Sequence, residues 1–302
     1  MSTVVALEKE IKMQLDFLEQ FVPQRRLSVS TQKKTIFCGT GDSFASAQLA
    51  EVFSQFRAKS HDPLDLIKNR NILQGHDIYL VSISGNTASN IRLGKLAKRT
   101  VAITANGSSK LARACKKTIL LKFDSTGIQT SGSISFLASA LACMSLVSRY
   151  QIRNVSGIYR AAKSAASKIS LGGKIYVLGN LHTMPIAMFC AAKLYETVGA
   201  DAHYERIEQF SHMGLFSARK GDTVILFDEK NTYNEKFLKT LKNYGLVTKR
   251  PYPKTKRLQE QILFFIFVSE LIALYAAKQK GKKDCFFIEE KRLRNVSSSM
   301  IY

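Results

Sequence analysis

The sequence of 302 residues predicts an α/β protein with two doubly wound parallel sheets in tandem. Short runs of β-branched residues alternate with segments of helical periodicity, which is typical of parallel sheets covered by helices on both faces. The alternation also repeats, because residues 174–180 mirror residues 34–40 and residues 221–226 mirror residues 75–80. Offsets of 140 and 146 residues between the copies indicate a duplicated domain.

The composition is that of a globular protein, with 45% hydrophobic and 23% charged residues. The five cysteines are odd in number and widely spaced, so we expect reduced thiols of a cytoplasmic protein. Acidic Glu8 and Glu10 come too early for a secretory signal. The longest apolar stretch, 262–277, contains Glu270 and is short for a membrane span. A soluble protein without a membrane partner is expected.

The net charge of +22 is the unusual bulk property. Residues 236–257 carry eight basic side chains and no acidic one. Such a surface attracts nucleic acid, anionic lipid or small phosphorylated ligands, although it is also compatible with a merely solvated face. The absence of a helix-turn-helix, zinc-finger or RNA-reading signature argues against nucleic acid as the main partner.

The first elements follow in order along the chain. Apolar residues between 4 and 21 recur at three- and four-residue steps and predict an opening helix that ends before Pro23. A short buried strand at 35–38 leads into the Gly-Thr-Gly-Asp-Ser segment at 39–43, and a helix is expected over about 44–55. The glycines permit a tight turn and a close approach of backbone to a ligand.

A hydroxyl-rich turn follows the next predicted strand, 78–81. Ser82, Ser84 and Thr87 lie between this strand and a helix expected over 88–98. Unpaired N–H groups and the helix dipole favour an anion there, so the turn predicts a phosphate site. A Ser/Thr turn that only caps the helix is the alternative. The half is completed by a strand at 101–104, a helix at 110–115, a strand at 118–123 and an apolar helix at 133–150.

The second half repeats the strands but not this turn. After a helix over 158–169 and strands near 174–179 and 221–226, the chain continues as Phe-Asp-Glu-Lys at 227–230. Two carboxylates would repel phosphate, so we expect the two halves to differ in chemistry.

Acid/base residues cluster between 191 and 216. Glu196 lies near the end of a helix over 191–198, and His212 follows 16 residues later. A carboxylate and an imidazole in one pocket suit proton transfer between sugar carbons and ring opening. The alternatives are a solvated Glu, a structural His, or a zinc site formed by His203 and His212 with a glutamate, Glu205 or Glu208, although the spacing matches no tetrahedral pattern. No Gly-x-Ser-x-Gly segment supports a hydrolase.

Three segments resemble the sugar isomerase (SIS) family. They are Cys-Gly-Thr-Gly-Asp-Ser at 38–43, Ser-Ile-Ser-Gly-Asn-Thr at 82–87, and Lys-Leu-Tyr-Glu at 193–196 with His212 downstream. The sequence is most similar to double-SIS proteins, namely the isomerase half of glucosamine-6-phosphate synthase and archaeal phosphosugar isomerases. The resemblance extends from about residue 33 to the carboxyl terminus.

The resemblance implies two flavodoxin-like SIS domains, at 33–152 and 153–302, after a lead-in at 1–32. It also implies a homodimer and a reaction that needs no metal or organic cofactor. Glu196 would match the base that moves a proton between the first two sugar carbons. His212 would match the ring-opening histidine, which is often donated by the neighbouring subunit. The residues that would match the phosphate-binding set are Gly39, Thr40, Ser43, Ser82, Ser84 and Thr87.

The sequence departs from the family at several positions. It contains no glutaminase domain, Ser298 replaces a sugar-binding lysine, and the loop 129–132 lacks the arginine of the archaeal isomerases. Gly41 and Ile83 replace a serine and a glutamine that contact phosphate in the synthase. The expected function is isomerisation of a hexose or aminohexose 6-phosphate. The alternatives are an aminosugar-6-phosphate deaminase and a non-catalytic sugar-phosphate-binding regulator.

Overall fold

The computed structural model describes residues 1–301 and contains two parallel sheets. The first sheet has the strand order β2-β1-β3-β4-β5, and the second has the order β7-β6-β8-β9. All strand pairs are parallel, which confirms the predicted α/β fold class. The strands are β1 (Thr35–Cys38), β2 (Lys59–His61), β3 (Asp77–Val81), β4 (Thr100–Thr104), β5 (Lys117–Leu120), β6 (Ile175–Gly179), β7 (Ala202–Glu205), β8 (Thr223–Phe227) and β9 (Val247–Lys249).

Helices connect the strands as the alternating pattern predicts. Three short 3₁₀ segments, Arg70–Leu73, Leu181–Thr183 and Gly214–Ser217, also occur. The α-helices are α1 (Thr3–Gln20), α2 (Val29–Gln32), α3 (Asp42–Phe53), α4 (Pro63–Lys68), α5 (Ala88–Leu96), α6 (Lys110–Ala114), α7 (Ile134–Val147), α8 (Val155–Ala166), α9 (Met184–Val198), α10 (Ile207–His212), α11 (Thr232–Tyr244), α12 (Leu258–Gln279), α13 (Phe286–Glu289) and α14 (Lys291–Ile301).

The chain forms two compact units, each with one sheet. The β1–β5 unit comprises residues 16–125, 132–150 and 291–301, and the β6–β9 unit comprises residues 1–15, 126–131 and 151–290. The part of the opening helix up to residue 15 and the loop 126–131 therefore belong to the unit of the second sheet, and the last turn of that helix belongs to the unit of the first. The domain ranges 33–152 and 153–302 describe the sequence duplication and stay a prediction.

Both faces of the first sheet are covered. Phe37, Tyr79 and Ile103 pack with residues of α3 and α7 on one face. Ile36, Ile78 and Leu80 point to the other face and pack with residues of α4, α5 and α6. This division follows from the two-residue period of side chains along a strand. Near-continuous apolar strands are what a doubly wound sheet requires.

One face of the second sheet is covered by α9, which packs against α12, a buried helix of 22 residues. Phe227 of β8 also stacks on Phe265 of α12, with ring centroids 4.8 Å apart. By length and composition α12 could span a membrane, but 89% of its most apolar window is buried inside the structure, which is the placement of a core helix. Its carboxylate, Glu270, accepts two hydrogen bonds from Gln14 Nε2 at 3.0 and 2.9 Å. A buried polar group is tolerated when such donors satisfy it. The opposite face of the sheet packs against α10 and α11 through Phe210 and Leu241.

All five cysteines are free thiols, as the sequence predicts. Four are buried and Cys115 is partly buried. Burial raises the pKa of the Cys38 thiol well above its ordinary value and that of Cys190 to about 12. Neutral buried thiols of this kind pack as small apolar groups and are poor nucleophiles.

Candidate active site

The turn after β3 is held by its neighbours on both sides. The Ser82 N–H donates to the Ile103 carbonyl of β4 at 3.0 Å. Asn90 lies on the first turn of α5 and is fully buried, and its Nδ2 donates to the Val81 carbonyl at 3.0 Å. These bonds fix the point at which the chain leaves the strand. The turn is therefore a rigid feature of the sheet edge.

The turn requires glycine at position 85. The φ of Gly85 is +64°, and an added Cβ would lie 2.1 Å from Ser109 Oγ. The Leu111 N–H donates to the Gly85 carbonyl at 2.9 Å, which ties the turn to α6. A side chain at position 85 would combine left-handed strain with a steric clash.

The hydroxyl groups of the turn do not cap the helix. Thr87 is the N-cap residue of α5, but its side chain makes no capping hydrogen bond. Thr87 Oγ1 lies 3.2 Å from Ser82 Oγ instead, and Ser84 Oγ accepts only a long bond of 3.3 Å from the Asn86 N–H. The first N–H groups of a helix have no intrahelical partner. The helix start thus retains donors for an anion, together with three hydroxyl groups.

A second turn leaves the neighbouring strand at the same sheet edge. β1 and β3 pair in parallel at the centre of the order 2-1-3-4-5, where the connections diverge to opposite sides. Open α/β sheets bind ligands at this switch point. Gly39 follows β1, and an added Cβ would lie 2.6 Å from the Ser43 backbone. Within residues 1–301 the hydroxyl groups of Thr40 and Ser43 make no hydrogen bond, so they are available to a ligand.

Glu196 lies in the β6–β9 unit, near the end of α9, and one of its oxygens is clamped. Oε2 accepts a hydrogen bond from Lys193 Nζ at 2.7 Å and one from Ser131 Oγ at 2.8 Å. Lys193 is 1% exposed, whereas the Glu196 side chain is 36% exposed. Within residues 1–301, Oε1 has no hydrogen-bond partner. The carboxylate is therefore oriented by one oxygen and open at the other.

The loop that supplies Ser131 is fastened to the opening helix. Glu10 of α1 is 5% exposed and accepts hydrogen bonds from the Thr126 N–H (3.2 Å), Thr126 Oγ1 (2.8 Å) and Thr130 Oγ1 (2.9 Å). A buried carboxylate with several donors is a strong anchor. The helix α1 thereby positions the loop 126–131, and the loop positions Glu196.

His212 does not meet Glu196 in the described part of the chain. Its side chain is 74% exposed, and Nε2 lies 3.8 Å from Glu208 Oε1, one helical turn away. His203 Nε2 instead contacts Asp201 Oδ1 at 2.7 Å. Among residues 1–301 no group of three or more His, Cys, Asp or Glu side chains is placed to hold a metal ion.

The sequence did not predict an open pocket of about 540 Å³ whose lining residues include Met213 and Gly214, the two residues that follow His212 in the chain. Glu205 at the end of β7 faces it and lies against Gly214, where an added Cβ would be 2.5 Å from the carboxylate. Burial raises the pKa of the Glu205 carboxyl, and the His203 charge lowers it in part. The pocket is lined by Met184, Tyr204, Glu205, Arg206, Gln209, Met213 and Gly214.

No family model matches the sequence, and no curated protein matches it. Solved structures do share its fold, at identities that show the fold alone. Glucosamine-6-phosphate deaminase from Thermotoga maritima has a TM-score of 0.75 and 18% identity, covering 93% of this chain and 95% of that chain. Tagatose-6-phosphate ketose/aldose isomerase from Escherichia coli has a TM-score of 0.68 and 16% identity, covering 93% and 90%.

The C-terminal domain of glucosamine-fructose-6-phosphate aminotransferase from Francisella tularensis has a TM-score of 0.68 and 15% identity, covering 93% of this chain and 96% of that chain. These similarities extend over both sheets. The chain therefore has the tandem-sheet fold that its resemblance to the SIS family implied.

The predicted site residues fall into two groups in the structure. Ser82 and Thr87 are in contact, and Thr40 and Ser43 lie on the turn of the adjoining strand. Glu196 and His212 belong to the other compact unit. Sequence reasoning missed Lys193 and Ser131. Lys193 had a local signal, because it lies three residues before Glu196 on one helix face.

Proposed function

We propose that this protein is a phosphosugar isomerase acting on a hexose or aminohexose 6-phosphate. The observation that carries the proposal is the clamped carboxylate of Glu196, with one oxygen held by Lys193 and Ser131 and the other open. A base that shuttles a proton between two adjacent carbons must be fixed in orientation and accessible on one side.

The phosphate group would be bound at the turn after β3. The uncapped start of α5, the hydroxyl groups of Ser82, Ser84 and Thr87, and the rigid backbone at Gly85 support this role. Thr40 and Ser43 would add hydroxyl groups from the neighbouring strand end. Backbone N–H groups and hydroxyl donors bind phosphate without requiring a nearby arginine or lysine.

In the proposed reaction Glu196 Oε1 removes a proton from C1 of a ketose phosphate, the C–H electrons form the C1–C2 double bond, and the C2 carbonyl oxygen takes up a proton from water to give the enediol. Glu196 Oε1 then returns its proton to C2 while the C1 hydroxyl loses its proton to water and becomes the aldehyde, which yields the aldose phosphate and regenerates the carboxylate. Lys193 holds the second oxygen through its hydrogen bond, so it acts as a positioning residue. No oxidant or reductant is consumed, because the two carbons exchange oxidation states.

His212 would assist ring opening, with its imidazole transferring a proton to or from the ring oxygen. Its exposure supports a role in which it reaches a substrate outside its own helix. The proposal therefore includes a homodimer in which the histidine serves the neighbouring subunit's substrate.

The test is proton exchange with solvent. The full chain is incubated in D₂O with fructose 6-phosphate, glucosamine 6-phosphate or mannose 6-phosphate, and deuterium at C2 of the recovered aldose is measured by NMR. We expect exchange with at least one sugar, and Glu196→Gln should reduce it by roughly 10²- to 10⁴-fold. Glu19→Gln, at an exposed glutamate of α1, is the matched control and should exchange normally.

Binding separates the remaining outcomes. Glu196→Gln should bind the phosphosugar about as tightly as the wild type, because the phosphate contacts are unchanged. No exchange with any of the three sugars, at concentrations where binding is saturated, would contradict the isomerase and favour a sugar-phosphate regulator.

A deaminase is the second candidate, favoured by the similarity to the Thermotoga maritima glucosamine-6-phosphate deaminase. Both reactions begin with proton transfer next to the carbonyl carbon. Release of ammonia from glucosamine 6-phosphate, with formation of fructose 6-phosphate, distinguishes the deaminase from an isomerase.

A further inference from the structure

A pocket of about 500 Å³ on the β1–β5 unit is lined by three arginines. Residues 25–32 of the pocket come just before β1 and Arg57 comes just before β2, so the pocket lies at the amino edge of the sheet. The turns at Thr40 and Ser82 leave the carboxyl edge, and the strands separate the two places. The pocket residues are Arg25, Arg26, Leu27, Ser28, Val29, Thr31, Gln32, Arg57 and Val147.

Arg57 is held in place by a buried amide. Its Nε donates to Gln32 Oε1 at 3.2 Å, and its Nη1 donates to Gln55 Oε1 at 2.9 Å. Gln32 is 2% exposed and donates from Nε2 to the carbonyl groups of Leu27 (3.0 Å) and Val147 (3.1 Å). The amide orientation is thus fixed, and it presents its oxygen to the guanidinium. Three of the five N–H donors of Arg57 make no hydrogen bond to any of residues 1–301.

The charge of the pocket is uncompensated. None of its lining residues is acidic, and within residues 1–301 Arg25, Arg26 and Arg57 form no ion pair. Other arginines do have carboxylate partners, for example Arg99 with Asp77 at 3.0 Å and Arg257 with Glu260 at 3.1 Å. Three guanidinium groups around one concavity attract a multiply charged anion.

We propose that this pocket binds a small organic diphosphate. Guanidinium groups match phosphate oxygens in pairs, and two phosphate groups carry about three negative charges, which balances three arginines. Leu27, Val29 and Val147 form an apolar wall for the organic part, and the volume suits a ligand of nucleotide size. The site is separate from the proposed reaction and would suit a regulatory ligand.

The test measures binding of pyrophosphate, ADP and inorganic phosphate to the full chain by calorimetry at constant ionic strength. We expect pyrophosphate and ADP to bind at least about 10-fold more tightly than phosphate. Arg57→Ala should weaken pyrophosphate binding by about 10-fold or more, and the double change Arg25→Ala with Arg26→Ala by more still, because each removes charge-assisted hydrogen bonds. Arg160→Ala, at an exposed arginine of α8, is the matched control and should change affinity less than about 2-fold.

Three results would overturn the proposal. Equal losses in Arg160→Ala would indicate general attraction by the basic surface, and unchanged affinity in the pocket variants would exclude the pocket. Loss of pyrophosphate binding in the double variant Ser82→Ala with Thr87→Val would assign it to the turn after β3. Arg25 and Arg26 are exposed, so their double variant should fold even if Arg57→Ala does not. Because no turnover is measured, the result is independent of the proposed reaction.

Discussion

The turns after β3 and β8 occupy corresponding positions, because the order β7-β6-β8-β9 repeats the first four strands of the order β2-β1-β3-β4-β5, yet their chemistry is opposite. Ser82 follows β3 at the position where Asp228 follows β8. The preceding turns match as well, because an added Cβ would strike the next helix both at Gly39 (2.6 Å) and at Gly179 (2.8 Å). The backbone is thus alike at the corresponding edges of the two sheets while the side chains differ.

At the corresponding position of the second sheet, the protein carries a carboxylate, that of Asp228. Asp228 Oδ2 accepts from Asn180 Nδ2 at 3.3 Å, and Oδ1 accepts from the Glu229 N–H at 2.8 Å. The following helix is capped, since Asn231 Oδ1 accepts the Asn234 N–H at 2.8 Å. The first turn has neither a carboxylate nor a cap. One fold therefore carries uncapped hydroxyl groups in one half and a carboxylate with a capped helix at the corresponding place in the other, and function has to be argued from the site.

The largest effect on ligand binding is expected when the serine after β3 is replaced by the aspartate that follows β8. Ser82→Asp places a carboxylate where the proposed phosphate binds, and repulsion between the two anions should weaken binding of fructose 6-phosphate by roughly 100- to 1000-fold. Calorimetric titration measures this. The reciprocal change Asp228→Ser should leave affinity unchanged, and a loss there equal to that of Ser82→Asp would contradict the assignment of phosphate to the first turn.

The next largest effect concerns the shape of the first turn. Gly85→Ala combines a φ of +64° with a Cβ 2.1 Å from Ser109 Oγ, so it should lower the free energy of unfolding by about 2–3 kcal/mol. Gly281→Ala is the control, because Gly281 has a φ of +62° but no atom lies within 4 Å of a Cβ added there. This substitution should lower the free energy of unfolding by only about 1 kcal/mol. Urea denaturation compares the two. Equal losses would mean that the contact with Ser109 relaxes freely.

Two buried asparagines at the third position of their helices sharpen the comparison. Asn90 donates to the Val81 carbonyl, and Asn234 donates to the Glu229 carbonyl at 2.8 Å. Either change to Ala leaves a carbonyl without its donor and should cost about 1–2 kcal/mol of stability. Only Asn90→Ala should also weaken phosphosugar binding, by several fold. Similar binding losses in both variants would show a general effect of instability.

The smallest effect is expected at the edge strands. Glu205 of β7 pairs with Leu178 of β6, as His61 of β2 pairs with Cys38 of β1. Because burial raises the pKa of Glu205, the folded state favours its protonated form, and stability is lost as the pH rises through that pKa. Glu205→Gln should therefore raise the free energy of unfolding at pH 7 by less than about 1 kcal/mol, which thermal denaturation would show as a slightly higher melting temperature. Near pH 4 the substitution should have no effect. A larger difference at pH 4 than at pH 7 would contradict the stated direction.

Elements with strong periodicity were predictable from the sequence. The strands β1, β3, β4, β6 and β8 are apolar or β-branched, and the helix predicted over 88–98 is observed as α5, Ala88–Leu96. β2 and β7 carry no such pattern, because Lys59–His61 and Ala202–Glu205 are polar edge segments. Their hydrogen bonds to β1 and β6 make them strands, and only the neighbouring strand provides those bonds. The helix predicted over 191–198 begins earlier, at Met184, where Pro185 occupies the first turn.

The sequence by itself determined the alternation that produces two parallel sheets and the hydroxyl-rich turn of the first half. Both depend on residues that are close in the chain, through the period of apolar side chains and the conformational freedom of glycine. The tertiary structure decided the surroundings of Glu196, because Ser131 is 65 residues away in sequence. It likewise joined Arg57 to Gln32, 25 residues earlier, at the amino edge of the sheet. Contacts of this kind depend on how packed elements approach one another, which no local pattern encodes.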